Sequence, residues 1–134
     1  MNELVEDWIQ KAENDLLNVK NNLNSIDIPT DTVCFHCHQS TEKYIKAYLI
    51  NKNKHFPKIH NLLRLLELCK ETDKDFSILK DSLLILNDFS VEIRYPDDWF
   101  EPTEEDAREA YYLAKKAKKF VECDNANYRF LLIK

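Results

Sequence analysis

The segment 34–38 (Cys-Phe-His-Cys-His) places four potential metal ligands within five residues. The surrounding pattern predicts a helix, on which successive side chains are about 100° apart. On that helix His36 lies about 160° from His38, so the two imidazoles cannot share an ion, and both cysteines fall on the apolar stripe. A zinc site needs four convergent ligands, whereas a free cysteine packs as a small hydrophobe. We therefore predict that Cys34 and Cys37 are reduced and buried, with no metal.

The other face of the same predicted helix is polar and positively charged. Between Lys43 and His60 there are five lysines, two histidines and no carboxylate, although the whole chain has a net charge of −5. Such a local positive region suits a phosphate group or an acidic protein surface. The same pattern also fits a solvated lysine face, and the residues alone leave both interpretations open. The side chains on this face are His36, Gln39, Ser40, Lys43 and Lys46.

A further group of candidates, Arg94, Tyr95 and Trp99, follows the fourth predicted helix. An arginine at a helix C-terminus ordinarily pairs with free carbonyls, and a tryptophan there would ordinarily cover the end of a bundle. In a binding site the guanidinium would instead contact a phosphate or a carboxylate, and the rings would stack on a base. The carboxylates around this segment could alternatively receive a basic partner.

Helices must position these side chains, and apolar periodicity delimits them. The predicted ranges are 3–24, 30–51, 59–71 and 75–92, with Asp73 or Asp75 as cap of the fourth helix. Two prolines in the loop 95–102 exclude helix continuation, and Thr103 then caps a fifth helix. Carboxylates begin that fifth helix and lysines crowd its C-terminal half, as the helix dipole favours. We predict an all-α, up-and-down bundle of four to five helices over residues 1–122, followed by a tail, 123–134, whose structure the sequence leaves open.

Composition excludes several common classes of protein. The chain has 134 residues, four cysteines and no glycine. Without glycine it cannot form the phosphate-binding loop, the dinucleotide-binding fingerprint or the nucleophile elbow, and an all-β fold with tight turns is disfavoured. Neither a signal-peptide pattern nor an apolar run of about 18 residues occurs, so we expect a cytoplasmic protein that does not enter a membrane.

Four short motifs follow one another in the order of a known family. They are Trp8-x3-Ala12-x2-Asp15-Leu16, the segment 34–47 with Gln39, Glu42, Lys43 and Lys46, then His60-Asn-Leu62, and finally Arg94-Tyr95-Pro96. Over about residues 5–121 this order resembles the HEPN domain, the helical domain named for higher eukaryotes and prokaryotes nucleotide-binding.

The resemblance implies a helical bundle that often forms a two-fold dimer. Bacterial stand-alone members of the family are commonly encoded beside a minimal nucleotidyltransferase, in toxin–antitoxin or related two-component systems. Many members are metal-independent ribonucleases whose motif is an arginine followed a few residues later by a histidine. Here Arg94 is present, but no histidine follows His60. Arg94 with its Tyr-Pro looks like the branch proposed to bind nucleotides or partners without a nuclease site.

We therefore predict a non-catalytic, dimeric module that binds a nucleotide, RNA or a partner minimal nucleotidyltransferase, without a cofactor. Its ligand-binding residues would be His36, Gln39, Lys43, Lys46, Arg94, Tyr95 and Trp99. One alternative is a ribonuclease toxin in which His36 or His60 transfers protons beside Arg94, whose charge would stabilise the phosphorane. The other alternative is a purely structural interaction bundle.

Overall fold

Helices account for all the regular secondary structure in residues 3–91 and 101–124, the part of the chain that this computed structural model describes. They are α1 (Glu3–Leu23), α2 (Thr30–Asn51), α3 (Leu62–Lys70), a 3-10 helix (Lys74–Leu79), α4 (Lys80–Asn87) and α5 (Glu104–Asp124). The predicted all-α bundle is thus confirmed. No described helix is both long enough and apolar enough to cross a membrane.

The central helix of the bundle is α2. It packs mainly against α1 and α5, and also contacts α3 and α4. A helix surrounded in this way has little solvent-facing surface, so polar residues on it must be buried or paired with neighbouring helices. Ser40 illustrates this, because it is fully buried and its hydroxyl donates to the Ala12 carbonyl of α1 at 3.0 Å. The polar face of α2 that the sequence predicts is therefore partly covered by α1.

Small and aromatic side chains fill the space between α2 and its neighbours. Four alanines of α5 are fully buried, which allows the close helix approach that their spacing predicts. Tyr48 of α2 lies against Phe76, with ring centroids 4.5 Å apart, and Phe76 contacts Phe120 of α5 edge-on at 4.9 Å. These rings join the 3-10 helix to both long helices. The alanines are Ala107, Ala110, Ala114 and Ala117.

The third and fourth helices differ from the predicted ranges. α3 begins at Leu62 rather than at 59, because the Asn61 side chain accepts hydrogen bonds from the backbone amides at 63 and 64 and so caps the helix. The predicted fourth helix, 75–92, begins instead as the 3-10 helix, which Asp73 caps, and α4 ends at Asn87. In the 3-10 helix Phe76 and Leu79, three residues apart, are both buried, as its three-residue turn favours.

Two other helix ends follow the sequence closely. The Thr103 hydroxyl accepts from the Asp106 amide at 3.0 Å, and the Asp106 carboxylate accepts in return from the Thr103 amide at 3.0 Å. This reciprocal pair caps α5 as predicted. After α2, Asn53 adopts a left-handed backbone with φ of 56°, a conformation that asparagine tolerates better than most residues.

Candidate functional site

A buried carboxylate at the contact between α1 and α2 holds two basic side chains. Asp15 of α1 is 8% exposed. Its Oδ1 accepts from His36 Nδ1 at 2.9 Å, and its Oδ2 accepts from Lys43 Nζ at 2.6 Å. His36 and Lys43 lie seven residues apart, two turns of α2, and therefore on one face. We call these three residues the Asp15 cluster.

Asp15 determines which ring nitrogen of His36 carries a hydrogen. A carboxylate can only accept, so His36 carries a hydrogen on Nδ1. The second ring nitrogen, Nε2, makes no hydrogen bond within residues 3–91 and 101–124, and the side chain is 22% exposed, as is that of Lys43. The cluster thus offers an imidazole nitrogen and part of an ammonium group to a ligand, and its carboxylate offsets one positive charge.

A second buried carboxylate, Glu42, organises the other basic side chains of α2. Its side chain is 4% exposed and accepts from Lys46 Nζ at 3.0 Å and from His60 Nδ1 at 3.0 Å. His38 Nδ1 lies 4.0 Å from the same carboxylate. Because Glu42 lies on α2 and His60 lies in the segment that precedes α3, this carboxylate joins that segment to the central helix. We call these four residues the Glu42 cluster.

Lys46 is enclosed by the bundle. It is 5% exposed, and its ammonium nitrogen lies 5.6 Å from the ring centroid of Trp8 and 5.6 Å from that of Phe56. Two aromatic faces and a carboxylate thus replace the water around the ammonium group. Lys46, which the sequence assigns to ligand binding, is committed to internal contacts.

His38 and Gln39 are also engaged inside the protein. His38 is fully buried, and its Nε2 donates to the His60 carbonyl at 3.0 Å. Its Nδ1 accepts from the Gln39 side-chain amide at 3.3 Å. Burial lowers the pKa of His38 below its ordinary value, because desolvation disfavours the charged ring. The Gln39 side chain thus holds the neutral ring of His38 in place. Gln39 itself is half-buried, on the face of α2 that also carries His36 and Lys43.

The cysteines of segment 34–38 lie in the core, as predicted. Cys34 and Cys37 are free thiols without solvent exposure, and burial raises the pKa of Cys34 to about 12. Burial likewise raises the pKa of Cys37. Thiols held in this way stay protonated and act as small apolar groups. Across residues 3–91 and 101–124 no three His, Cys, Asp or Glu side chains converge as a metal site would require.

Of the other predicted site residues, the structure describes the two histidines but not the group after the fourth predicted helix. His60 belongs to the Glu42 cluster, with a side chain that is 70% exposed, whereas His36 belongs to the Asp15 cluster, so the two histidines are held by different carboxylates. Arg94, Tyr95 and Trp99 lie outside the described residues.

An open groove of about 250 Å³ adjoins the Asp15 cluster. Leu4, Asp7, Trp8 and Lys11 of α1 line it together with Lys43. The surface that these side chains expose to the groove is almost entirely apolar, formed by the Trp8 indole, the Leu4 side chain and the aliphatic stems of the lysines. This wall suits the flat ring of a ligand, which can pack on it, whereas the Lys43 ammonium group is held by Asp15 outside the apolar lining.

Two carboxylates that organise the site were missed as site residues in the sequence. Asp15 lies at about 20° on a helical wheel that starts from Leu4, inside the apolar arc of α1. A carboxylate at such a position is a signal that it has a buried basic partner. Glu42 lies four residues before Lys46, the spacing at which helical side chains pair.

Comparison with known proteins agrees with this structure. The sequence model of the HEPN domain family matches residues 5–124. The crystal structure of ST0689, an archaeal HEPN homologue, aligns with a TM-score of 0.70 at 25% sequence identity, covering 92% of this chain and 98% of that one. That of TT1696 from Thermus thermophilus aligns with a TM-score of 0.72 at 24% identity, covering 91% and 98%, and shares the fold. Among curated proteins no match was found.

Proposed function

This chain belongs to the HEPN domain family, and from that premise we propose that it is a non-catalytic module that binds a nucleotide or RNA. The observation that carries the proposal is the Asp15 cluster, in which a buried carboxylate orients two partly exposed basic side chains beside an open groove. When His36 is protonated, the cluster carries one net positive charge and presents N–H donors that suit a phosphate. Trp8 in the groove wall is the candidate surface for a base.

The module would act as a homodimer, with a partner minimal nucleotidyltransferase in a two-component, toxin–antitoxin-like system. Three apolar side chains on the 3-10 helix and α4 support self-association. Ile78 is 63% exposed, Leu84 is 44% exposed and Ile85 is 40% exposed. Leu84 and Ile85 are adjacent on α4, about 100° apart, and Ile78 lies on the 3-10 helix that leads directly into α4. Pairing two copies through this face would remove the apolar surface of both from water.

Substituting Ile85 by aspartate tests the dimer. We expect the wild-type chain to sediment as a dimer and Ile85→Asp to sediment as a monomer, because a charge at the centre of an apolar interface loses its hydration. The control is Ile26→Asp, at a residue that is 100% exposed in the turn after α1. A wild-type monomer, or equal weakening of the dimer by both substitutions, would show that this face is not the interface.

Neutralising Lys43 tests the binding site. In titrations with uridine monophosphate we expect Lys43→Gln to weaken binding about tenfold or more, since a charge-assisted hydrogen bond contributes about 1.5–3 kcal/mol. Lys80→Gln, at an exposed residue that begins α4, is the matched control and should bind as the wild type does. Equal affinity in all three proteins would remove Lys43 from the site.

One observation favours the alternative of a metal-independent ribonuclease. Asp15 fixes the tautomer of His36 and leaves Nε2 without a partner among the described residues, an arrangement that suits a general base. The same protein samples should therefore be incubated with single-stranded RNA and a chelator. The proposed function predicts no cleavage. Cleavage that His36→Gln and Arg94→Ala both abolish would replace it with the ribonuclease.

A further inference from the structure

A second groove, between α1 and α5, lies on a part of the surface that the sequence assigns no function. It measures about 390 Å³, and its apolar lining is Leu16 and Leu17 of α1 and Tyr111 of α5. The other described residues of the lining are four lysines and one carboxylate. We call this the α1–α5 groove. Its lysines are Lys20, Lys115, Lys118 and Lys119.

Most of these lysines have no acidic partner among the described residues. Lys118 Nζ lies 3.7 Å from the carboxylate of Glu122, the one acidic residue of the lining. Lys20, Lys115 and Lys119 form no ion pair with any carboxylate of residues 3–91 and 101–124. This differs from α2, where Lys43 and Lys46 are each paired with a buried carboxylate. The α1–α5 groove is therefore the more electropositive of the two grooves, although the chain as a whole is acidic.

The aromatic ring in the lining contributes a second property. Lys115 Nζ lies 4.2 Å from the ring centroid of Tyr111, which is half-buried between the two helices. The ring thereby restrains one ammonium group at the groove edge. Lys115 and Lys119 are one turn of α5 apart, separated by about 6 Å along the helix axis. Cations in a row beside an aromatic and apolar floor are the features with which proteins hold single-stranded nucleic acid.

We propose that the α1–α5 groove binds the phosphate backbone of single-stranded RNA. The inference rests on the proposed function for the class of ligand, and it adds a second surface, whose lining shares no residue with the groove beside the Asp15 cluster. An acidic peptide would satisfy the lysines equally well, but it has no use for the apolar floor of Leu16 and Leu17, on which bases can lie. RNA uses both parts of the groove.

The test measures binding of a fluorescent oligouridylate to the full chain by anisotropy over a range of salt concentrations. The variant is Lys115→Gln/Lys119→Gln, and the control is Lys74→Gln/Lys80→Gln, at exposed residues of the 3-10 helix and α4. Glutamine has about the helix propensity of lysine, so all these proteins should fold. We expect the groove variant to bind about tenfold more weakly at low salt. A plot of log affinity against log salt concentration should be shallower for this variant by about 1.4. Each of the two substituted lysines would account for about 0.7, the slope that one neutralised phosphate contributes. Uridine monophosphate binding should not change.

The outcomes separate this inference from the proposed function. If the control reduces oligouridylate binding as much as the groove variant does, the groove is not the site. If oligouridylate binds with a slope that the groove variant leaves unchanged, the inference fails while the Asp15 cluster stands. If oligouridylate binding depends on the groove but uridine monophosphate does not bind, the inference stands and the Asp15 cluster loses its role. If poly-glutamate binds the groove more tightly than oligouridylate, the partner is an acidic peptide and the inference is wrong.

Discussion

Replacing Glu42 by alanine is expected to lower the free energy of unfolding by about 3–5 kcal/mol, the usual cost of removing one partner from a buried ion pair. The reason lies in what remains. Lys46 would stay buried beside Trp8 and Phe56 with no carboxylate to balance its charge. His60 would also lose the hydrogen bond that ties the segment before α3 to α2. Urea denaturation followed by circular dichroism measures the loss.

A surface pair provides the control for this prediction. The Glu71 side chain is 56% exposed and pairs with Lys54, so Glu71→Ala should cost no more than about 1 kcal/mol. The double variant Glu42→Leu/Lys46→Met should regain most of the stability that Glu42→Ala loses, since apolar side chains can replace a buried ion pair. Equal losses in Glu42→Ala and Glu71→Ala would contradict the burial argument.

Acidification below about pH 6.5 is expected to destabilise the protein through His38. Burial lowers the pKa of His38 from its ordinary value of 6.5, and both ring nitrogens already form hydrogen bonds that suit the neutral ring. The unfolded chain therefore takes up a proton at a higher pH than the folded chain does. The stability that the neutral His38 ring contributes is fully present above pH 6.5. It is lost as the pH falls toward the folded pKa, by at most about 1.4 kcal/mol per pH unit. Two neighbours oppose this effect, namely the Glu42 carboxylate and the His60 carbonyl that accepts from Nε2, while the His60 ring and Lys46 add to it.

Denaturation at a series of pH values measures this slope. His38→Gln removes the titrating group while keeping a side-chain N–H donor, so the slope between about pH 6.5 and pH 5 should become shallower. His55→Gln, at an exposed residue of the segment after α2, should leave the slope as it is in the wild type. An identical slope in His38→Gln and the wild type would mean that other groups cause the acid sensitivity.

Three helices and one cap were predictable from sequence because their signals are local. Apolar side chains recur every three to four residues along α1 and α5, and their ends agree with the structure to within a few residues. Thr103 identifies the start of α5 because its hydroxyl reaches an amide three residues later. The apolar periodicity of α2 is weak, but a proline marks its start and an asparagine-rich segment marks its end. Local geometry is sufficient for these features.

The boundaries of α3 and α4 depend on contacts between elements. Asn87, at the end of α4, accepts from the Leu62 amide at 2.9 Å and so stabilises the start of α3. The 3-10 helix places Phe76 against Tyr48 and Phe120, which come from two other helices. Propensity within the segment 59–92 cannot encode partners that are distant along the chain, so a pattern-based range extends too far.

The sequence by itself determined which side chains share a face of a helix, while the tertiary structure decided which faces remain open and which charges remain unbalanced. The lysines of α2 look free in the sequence because no carboxylate occurs between Lys43 and His60. In the fold, Asp15 reaches Lys43 from α1, and Trp8 and Phe56 from other parts of the chain cover the ammonium group of Lys46, whose pairing with Glu42 is local to α2. In the sequence, the lysines of α5 look like partners of a helix dipole. In the fold, several of them line a groove together with residues of α1. The physical reason is that burial and charge compensation depend on neighbours in space, whereas periodicity records neighbours along the chain.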